Sequence, residues 1–208
     1  SVQPAGATSV GGVVVVGPMW LEAWLRTLSR LEDLRYDFIE CQELAGTDHT
    51  NRCSQKIREL IGGSVRAVLV QHSFPSYGII LEVGGFKLVY SGDTRPCEAL
   101  AEAGQHADLL IHEATFDDEM EDKAASDRHS TVREALGVAA KMQAKRTILT
   151  HFSSRFEKLI PDLRVYGTLG EKVACAVDGM EVCTRRLDEM QAVSLRMAEK
   201  LVEHYAEM

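Results

Sequence analysis

Apolar residues fall in short runs along this chain, and polar or glycine residues close each run. VVVV at 13–16, VRAVLV at 65–70, YGIILEV at 77–83, FKLVY at 86–90, DLLIH at 108–112 and RTILT at 146–150 are rich in Val, Ile and Leu. Runs of that length and composition read as buried strands. Gly84 and Gly85 separate two of them, and paired glycines accept the positive φ of a tight two-residue turn, which predicts a hairpin over Tyr77–Tyr90. Tyr36–Glu40 reads as a further short strand, and KVACAV and MEVCT as weak strands within a loop-rich 157–186.

A different period marks the helices. After Gly17-Pro18, the residues Trp20, Leu21, Trp24, Leu25, Leu28 and Leu31 recur at three- and four-residue steps, which predicts one helix with a buried face. Pro suits the first helical position, where its missing N–H would be unpaired anyway. The leucines on the same stripe make the two tryptophans core residues rather than a platform for stacking bases. Ile57–Ile61 is a helix-like patch in an otherwise polar 41–64. Pro96-Cys97-Glu98 opens a short helix that Gly104 ends. Thr131 with Glu134 three residues on predicts a capping box and a helix to about Met142. From Leu187, Met190, Val193, Met197, Leu201 and Tyr205 predict an amphipathic terminal helix packed on the sheet. The expected organisation is a flexible lead-in at 1–12, one domain at 13–186 and a C-terminal helix at 187–208.

Composition narrows this picture. A chain of 208 residues, 45% hydrophobic and 26% charged, has room for one well-packed α/β domain. A formal net charge of −8 argues against a protein that coats phosphate backbones nonspecifically. A negative total does not forbid nucleic-acid binding, because the local field and any bound metal decide it. The five cysteines, Cys41, Cys53, Cys97, Cys175 and Cys183, include no CxxC pair, which suits small buried or half-buried thiols in a reducing, intracellular compartment. No stretch reaches the ~18 apolar residues of a membrane span, and no targeting segment precedes the first strand. The acidic cluster Asp117, Asp118, Glu119, Glu121 and Asp122 reads as a solvated loop or helix start, and Asp48-His49 as a surface pair.

The chemistry stands at the strand ends. His72 follows VRAVLVQ, Asp93 follows FKLVYSG and His151 follows RTILT. Side chains at the carboxyl ends of strands emerge from the core of an α/β fold into a crevice. Two imidazoles and one carboxylate delivered there suit a borderline metal such as zinc.

In order, HSFPSYG at 72–78, SGDTRPCEA at 91–99, HEAT at 112–115, HST at 129–131 and LTHFSSR at 149–155 resemble the second half of the metallo-β-lactamase superfamily, and specifically the tRNase Z family. The likeness runs from roughly Val13 to Phe156. HEAT and HST are its discriminating motifs, and they disfavour a general hydrolase of small esters. The resemblance implies a metallo-β-lactamase-like αββα sandwich, of which this chain is the C-terminal half. The HxHxDH motif that precedes these motifs in the family, and carries its remaining metal-binding side chains, is nowhere in the sequence.

Carried over residue by residue, the resemblance makes Asp93 the ligand that bridges two zinc ions and a catalytic residue, with His72 serving one ion and His151 the other. It makes Glu113 and His129 the pair that returns a proton to the departing 3′-oxygen, while His112 supports the site without a catalytic role. Ser130, Thr131, Ser153 and Arg155 are the expected RNA contacts. Ser73 stands where many relatives have Cys, a tolerable change. The family's RNA-clamping arm is absent from the sequence. The expected function is therefore the catalytic half of an endoribonuclease that removes 3′ trailers from precursor tRNA. Its expected partners are an HxHxDH-bearing half, a second copy or a larger assembly, and it should hold zinc weakly or not at all alone. The alternative is a degenerate relative kept as a structural or interaction subunit.

Overall fold

The computed structural model describes residues 13–46, 50–153 and 161–206. The lead-in at 1–12, the Asp48-His49 pair and Arg155 lie outside the described residues. Strand β1 (Val13–Gly17) leads through helix α1 (Met19–Leu28) to β2 (Tyr36–Glu40), which lies parallel to β1 in a two-stranded sheet. Helix α2 (Arg52–Ile61) is opened by Asn51, whose side chain accepts from Ser54 N at 2.8 Å, and closed by Gly62 at φ 62°. Left-handed backbone of that kind is where glycine has no steric cost.

Strands β3 (Gly63–Leu69), β4 (Tyr77–Val83), β5 (Phe86–Tyr90), β6 (Leu109–Glu113), β7 (Arg146–Thr150) and β8 (Val173–Cys175) follow one another in a six-stranded sheet. The β3–β4 and β4–β5 pairs are antiparallel, and every later pair is parallel. Two antiparallel steps return the chain to its first direction. The carboxyl ends of β3, β5, β6 and β7 therefore lie along one edge of the sheet, and that edge receives every motif singled out above.

Helices α3 (Glu98–Ala103), α4 (Glu121–Asp127), α5 (Val132–Met142) and α6 (Met190–Ala206) complete the chain. On one face of the large sheet, Ile80, Val89 and Leu110 pack with Leu100 and Ala101 of α3 and with Val138 and Met142 of α5. On the other face, Val65, Ala67 and Ile79 meet Val14, Val16 and Ile39 of the small sheet. The small sheet's outer side carries α1, whose Leu21 lies over Gly17: a Cβ added there would be 2.6 Å from Leu21 Cδ2, so the leucine would have to shift. Helix, sheet, sheet and helix thus stack in the expected αββα order. At the far end, Met190 covers Leu109, Ile148 and Ala174, while Ser194 Oγ accepts from Cys175 N and donates to Cys175 O. The terminal helix so occupies the edge of β8, which an unpaired strand would leave open.

The structure corrects several expectations. The stripe on α1 is not buried: Trp20 and Trp24 are 62% and 57% exposed, Leu31 is exposed, and no residue of the helix is fully buried. Leu21, Leu25 and Leu28 are its half-buried side, so the inward face is one residue off the tryptophans. Pro18 precedes the helix rather than opening it. MEVCT forms no strand; β8 is the last strand of the large sheet. All five cysteines are unpaired, and Cys183 is exposed rather than buried.

Candidate active site

The edge of the sheet gathers its polar side chains from four loops and one strand end. His72 comes just after β3, Asp93 after β5, Glu113 ends β6, His129 lies between α4 and α5, and His151 follows β7. Asp93 is the centre of the arrangement. Its Oδ2 is 4.0 Å from His72 Nε2 and its Oδ1 is 3.7 Å from His151 Nδ1, so the two carboxylate oxygens address different histidines. The three rings cluster about this point, with centroids 4.8 Å apart for His72 and His129 and 5.4 Å for His129 and His151.

Each ring is held by a neighbour that decides which nitrogen carries the proton. His72 Nδ1 meets the Arg128 carbonyl at 3.0 Å, and a carbonyl only accepts, so Nδ1 is protonated. Nε2 then keeps its lone pair on the side of Asp93, the state in which an imidazole ligates a metal. Arg128 also donates to His72 O, which ties the His72 loop to the HST loop. His151 takes a left-handed φ of 63°, an unusual conformation for a residue with a side chain and one that concentrates at functional sites.

Glu113 is the most deeply placed charge, at 1% exposure. Oε1 accepts from Thr94 N at 2.7 Å and from His129 Nδ1 at 2.8 Å. Oε2 accepts from Thr115 N, Thr115 Oγ1 and Ser130 N at 3.1, 2.6 and 3.1 Å. Burial alone pushes a carboxyl upward, but these donors outweigh it and hold the Glu113 carboxyl below its ordinary value. It is an anion whose lone pairs are filled by protein donors, so its place in the site is to orient His129. Thr115 has a single hydroxyl proton, and the carboxylate takes it. Its oxygen then accepts from His151 Nδ1 at 2.8 Å, which leaves His151 Nε2 with the free lone pair.

Sequence reasoning missed three of these positioning residues. Thr115 joins Glu113 to both His129 and His151. Thr94 gives its N–H to Glu113, and its Oγ1 accepts from Gln71 N. Arg95 forms a two-pronged pair with Glu134 and donates to the His129 carbonyl at 2.7 Å. All three stand inside or beside the quoted motifs, but Arg95 and Glu134 are too far apart in sequence for spacing to reveal the pair.

Ser130 and Thr131, expected to contact RNA, turn their hydroxyls to protein partners. Both are buried; Ser130 Oγ donates to Thr94 O and Thr131 Oγ1 accepts from Glu134 N, completing the capping box of α5. Ser153 is half-buried with its N–H on Thr115 O. His112 is fully buried. Its Nδ1 donates to Glu113 O, its Nε2 has no partner among the described residues, and burial pushes its pKa down.

The donor set fits zinc: imidazole nitrogens with orienting hydrogen bonds on their other nitrogen, and a carboxylate between them. The ligand atoms of His72, Asp93 and His129 all lie within 4.8 Å of one another, as do those of Glu113, His129 and His151.

Comparison with known proteins gives the same picture. The model of the β-lactamase superfamily domain matches residues 13–152. The zinc phosphodiesterase ELAC protein 2 of Rattus norvegicus is 36% identical over 195 residues, covering 82% of this chain and 22% of that protein. The mitochondrial ribonuclease Z of Drosophila melanogaster is 37% identical over 169 residues, covering 78% and 21%. The chain thus spans about a fifth of the length of the curated relatives it matches. Among solved structures, a long-form RNase Z from yeast superposes with a TM-score of 0.78 at 25% identity, over 92% of this chain and 31% of that one. The short form of human tRNase Z gives 0.61 at 26%, over 83% and 68%.

Proposed function

Since the chain belongs to the metallo-β-lactamase superfamily and, within it, to the tRNase Z family, we propose that it is the catalytic half of a zinc-dependent endoribonuclease that releases 3′ trailers from precursor tRNA. The observation that carries this reading is a buried, fully hydrogen-bonded Glu113 gripping His129 beside an aspartate whose two oxygens address two further histidines. An idle surface has no physical reason to keep such a group, because an ionised carboxylate is costly to remove from water.

In this reading His72, Asp93 and His151 would be among the residues that hold zinc. Zinc, when bound as a pair, would supply a strong nucleophile at neutral pH and neutralise charge on the phosphoryl oxygens. Glu113 fixes the His129 ring by its Nδ1–H, so the proton for the departing 3′-oxygen leaves from Nε2. Arg95 and Arg128 keep the loops that carry His129 and His72 in register. Thr115 ties the proton-transfer pair to the His151 side of the site. The remaining ligands and the RNA-holding basic surface come from a partner segment bearing HxHxDH, which accords with the net charge of −8 on this chain. Among the described residues no helix is long and apolar enough to cross a membrane. We place the assembly in a reducing intracellular compartment, a placement supported by unpaired thiols.

The alternative reading is a non-catalytic subunit of the same family. Mixing the 208-residue chain with a separately made HxHxDH-bearing segment separates the two. Zinc-dependent trailer release that appears only on mixing supports the nuclease; association without cleavage supports the subunit.

A further inference from the structure

His72 and His151 address opposite oxygens of Asp93, and the two close trios of ligand atoms among the described residues both include His129. Neither trio contains both His72 and His151. An ion entering this chain by itself therefore chooses between two incomplete sides. On the His151 side the trio includes Glu113, but both Glu113 oxygens already accept from protein donors, five in all. Displacing those donors would strand buried N–H groups. On the His72 side no such conflict exists. His72 has its Nδ1–H on the Arg128 carbonyl, His129 has its Nδ1–H on Glu113, and Asp93 Oδ2 faces His72. A carboxylate behind a histidine is the arrangement that orients and strengthens an imidazole ligand. Three protein donors with an open position is also a normal zinc set.

We propose that this chain, without any partner, binds one zinc ion through His72, Asp93 and His129, so that the residue assigned to proton transfer serves as a metal ligand until other ligands arrive. The site uses the cleft of the proposed nuclease but does not depend on nuclease activity. His129 would be occupied in the chain alone and released for proton work when a segment carrying HxHxDH takes over the ion.

The test is metal titration of the intact chain with cobalt(II), followed by its visible absorption, with zinc measured by competition. The expected result is one equivalent bound. His129→Gln should weaken cobalt binding by more than the ~10–100-fold typical of losing a group that only orients a ligand, and Glu113→Gln should fall within that range. His151→Gln should bind within a few-fold of the parent. Circular dichroism shows whether each variant is folded. Hyperfine-shifted ring signals of His129 in the cobalt-loaded parent chain give a readout that needs no substitution. Unchanged cobalt affinity in folded His129→Gln, unshifted His129 signals, loss of metal in His151→Gln, or no binding by the parent would each overturn the proposal. Failure of trailer release on mixing with the partner segment would sink the nuclease reading and leave this site standing.

Discussion

Two regions of the molecule treat their side chains in opposite ways. At the carboxyl edge of the large sheet, polar groups are buried, and Glu113, Ser130, Thr94 and Thr131 each have defined partners. On and just after α1 and on the inner side of the large sheet, apolar groups are left out: Trp20 and Trp24 on the helix, Leu31 beyond its end, and Leu69, Val83 and Tyr90 on the strands, are exposed. A charge is buried only when its hydrogen bonds are complete, whereas exposed apolar surface is tolerated at a modest cost per residue. The site edge therefore pairs its buried charge within this chain, and the sandwich layer reads as open.

The strongest way to sharpen this contrast is to break the site at its centre. In the assembled enzyme Asp93→Ala should abolish both zinc loading and trailer release, because both sides of the site share that residue. His129→Ala should slow cleavage ~10²–10⁴-fold, the range of a lost general acid, while zinc content stays unchanged. Metal analysis beside single-turnover cleavage checks both. Zinc lost with His129, or kept without Asp93, would mean that the roles are misassigned.

Stability shows the next largest difference. Glu113→Ala leaves Thr94 N, Thr115 N and Ser130 N without their acceptor in a dry setting. The expected loss is about 3–5 kcal/mol in urea unfolding. A loss below ~1 kcal/mol would show that water replaces the carboxylate and that this edge is not sealed.

What the sequence made legible follows the same division. The hairpin at Gly84-Gly85, the capping box at Thr131 and the strands that end at His72, Asp93 and His151 all depend on local spacing, and the structure places them where spacing indicates. The inward face of α1 was misread because periodicity reports which residues are apolar and not what lies opposite them. Leu21, Leu25 and Leu28 turn inward, with Leu21 over Gly17, and the tryptophans face out. The hydroxyls of Ser130 and Thr131 show a related limit: in a motif they look available until the partners that occupy them, Thr94 and Glu134, are known. Thr115 and Arg95 escaped notice because their partners come from distant strands and loops.

A smaller effect concerns acid. His112 is buried with its pKa pushed below the ordinary 6.5, so the unfolded chain takes up a proton that the native chain resists. Stability is whole above that value and declines as pH falls below it. Glu113 adds to the decline only further down, since its stabilisation is present above 4.5 and lost as pH falls through its lowered native value. His112→Asn keeps a donor for the Glu113 carbonyl and removes the titration. Its melting temperature should fall less than that of the parent between pH 6.5 and about 5. Parallel curves would assign the acid sensitivity to another group.

The smallest expected effect falls on the tryptophans, and it bears most directly on the open layer. If the apolar stripe of α1 were core, replacing Trp20 and Trp24 by Ser would cost about 3–5 kcal/mol for each large side chain removed. At 62% and 57% exposure, the folded chain has little packing there to lose, and the double variant should unfold within ~0.5 kcal/mol of the parent in urea at low protein concentration. The same measurement at rising concentration separates two kinds of exposure. Should copies of the chain cover the stripe, the parent gains stability with concentration by mass action and the variant does not, so the gap widens. A gap that is small at every concentration makes the stripe ordinary surface; one already several kcal/mol wide in dilute solution returns the tryptophans to the core and closes the layer that the structure leaves open.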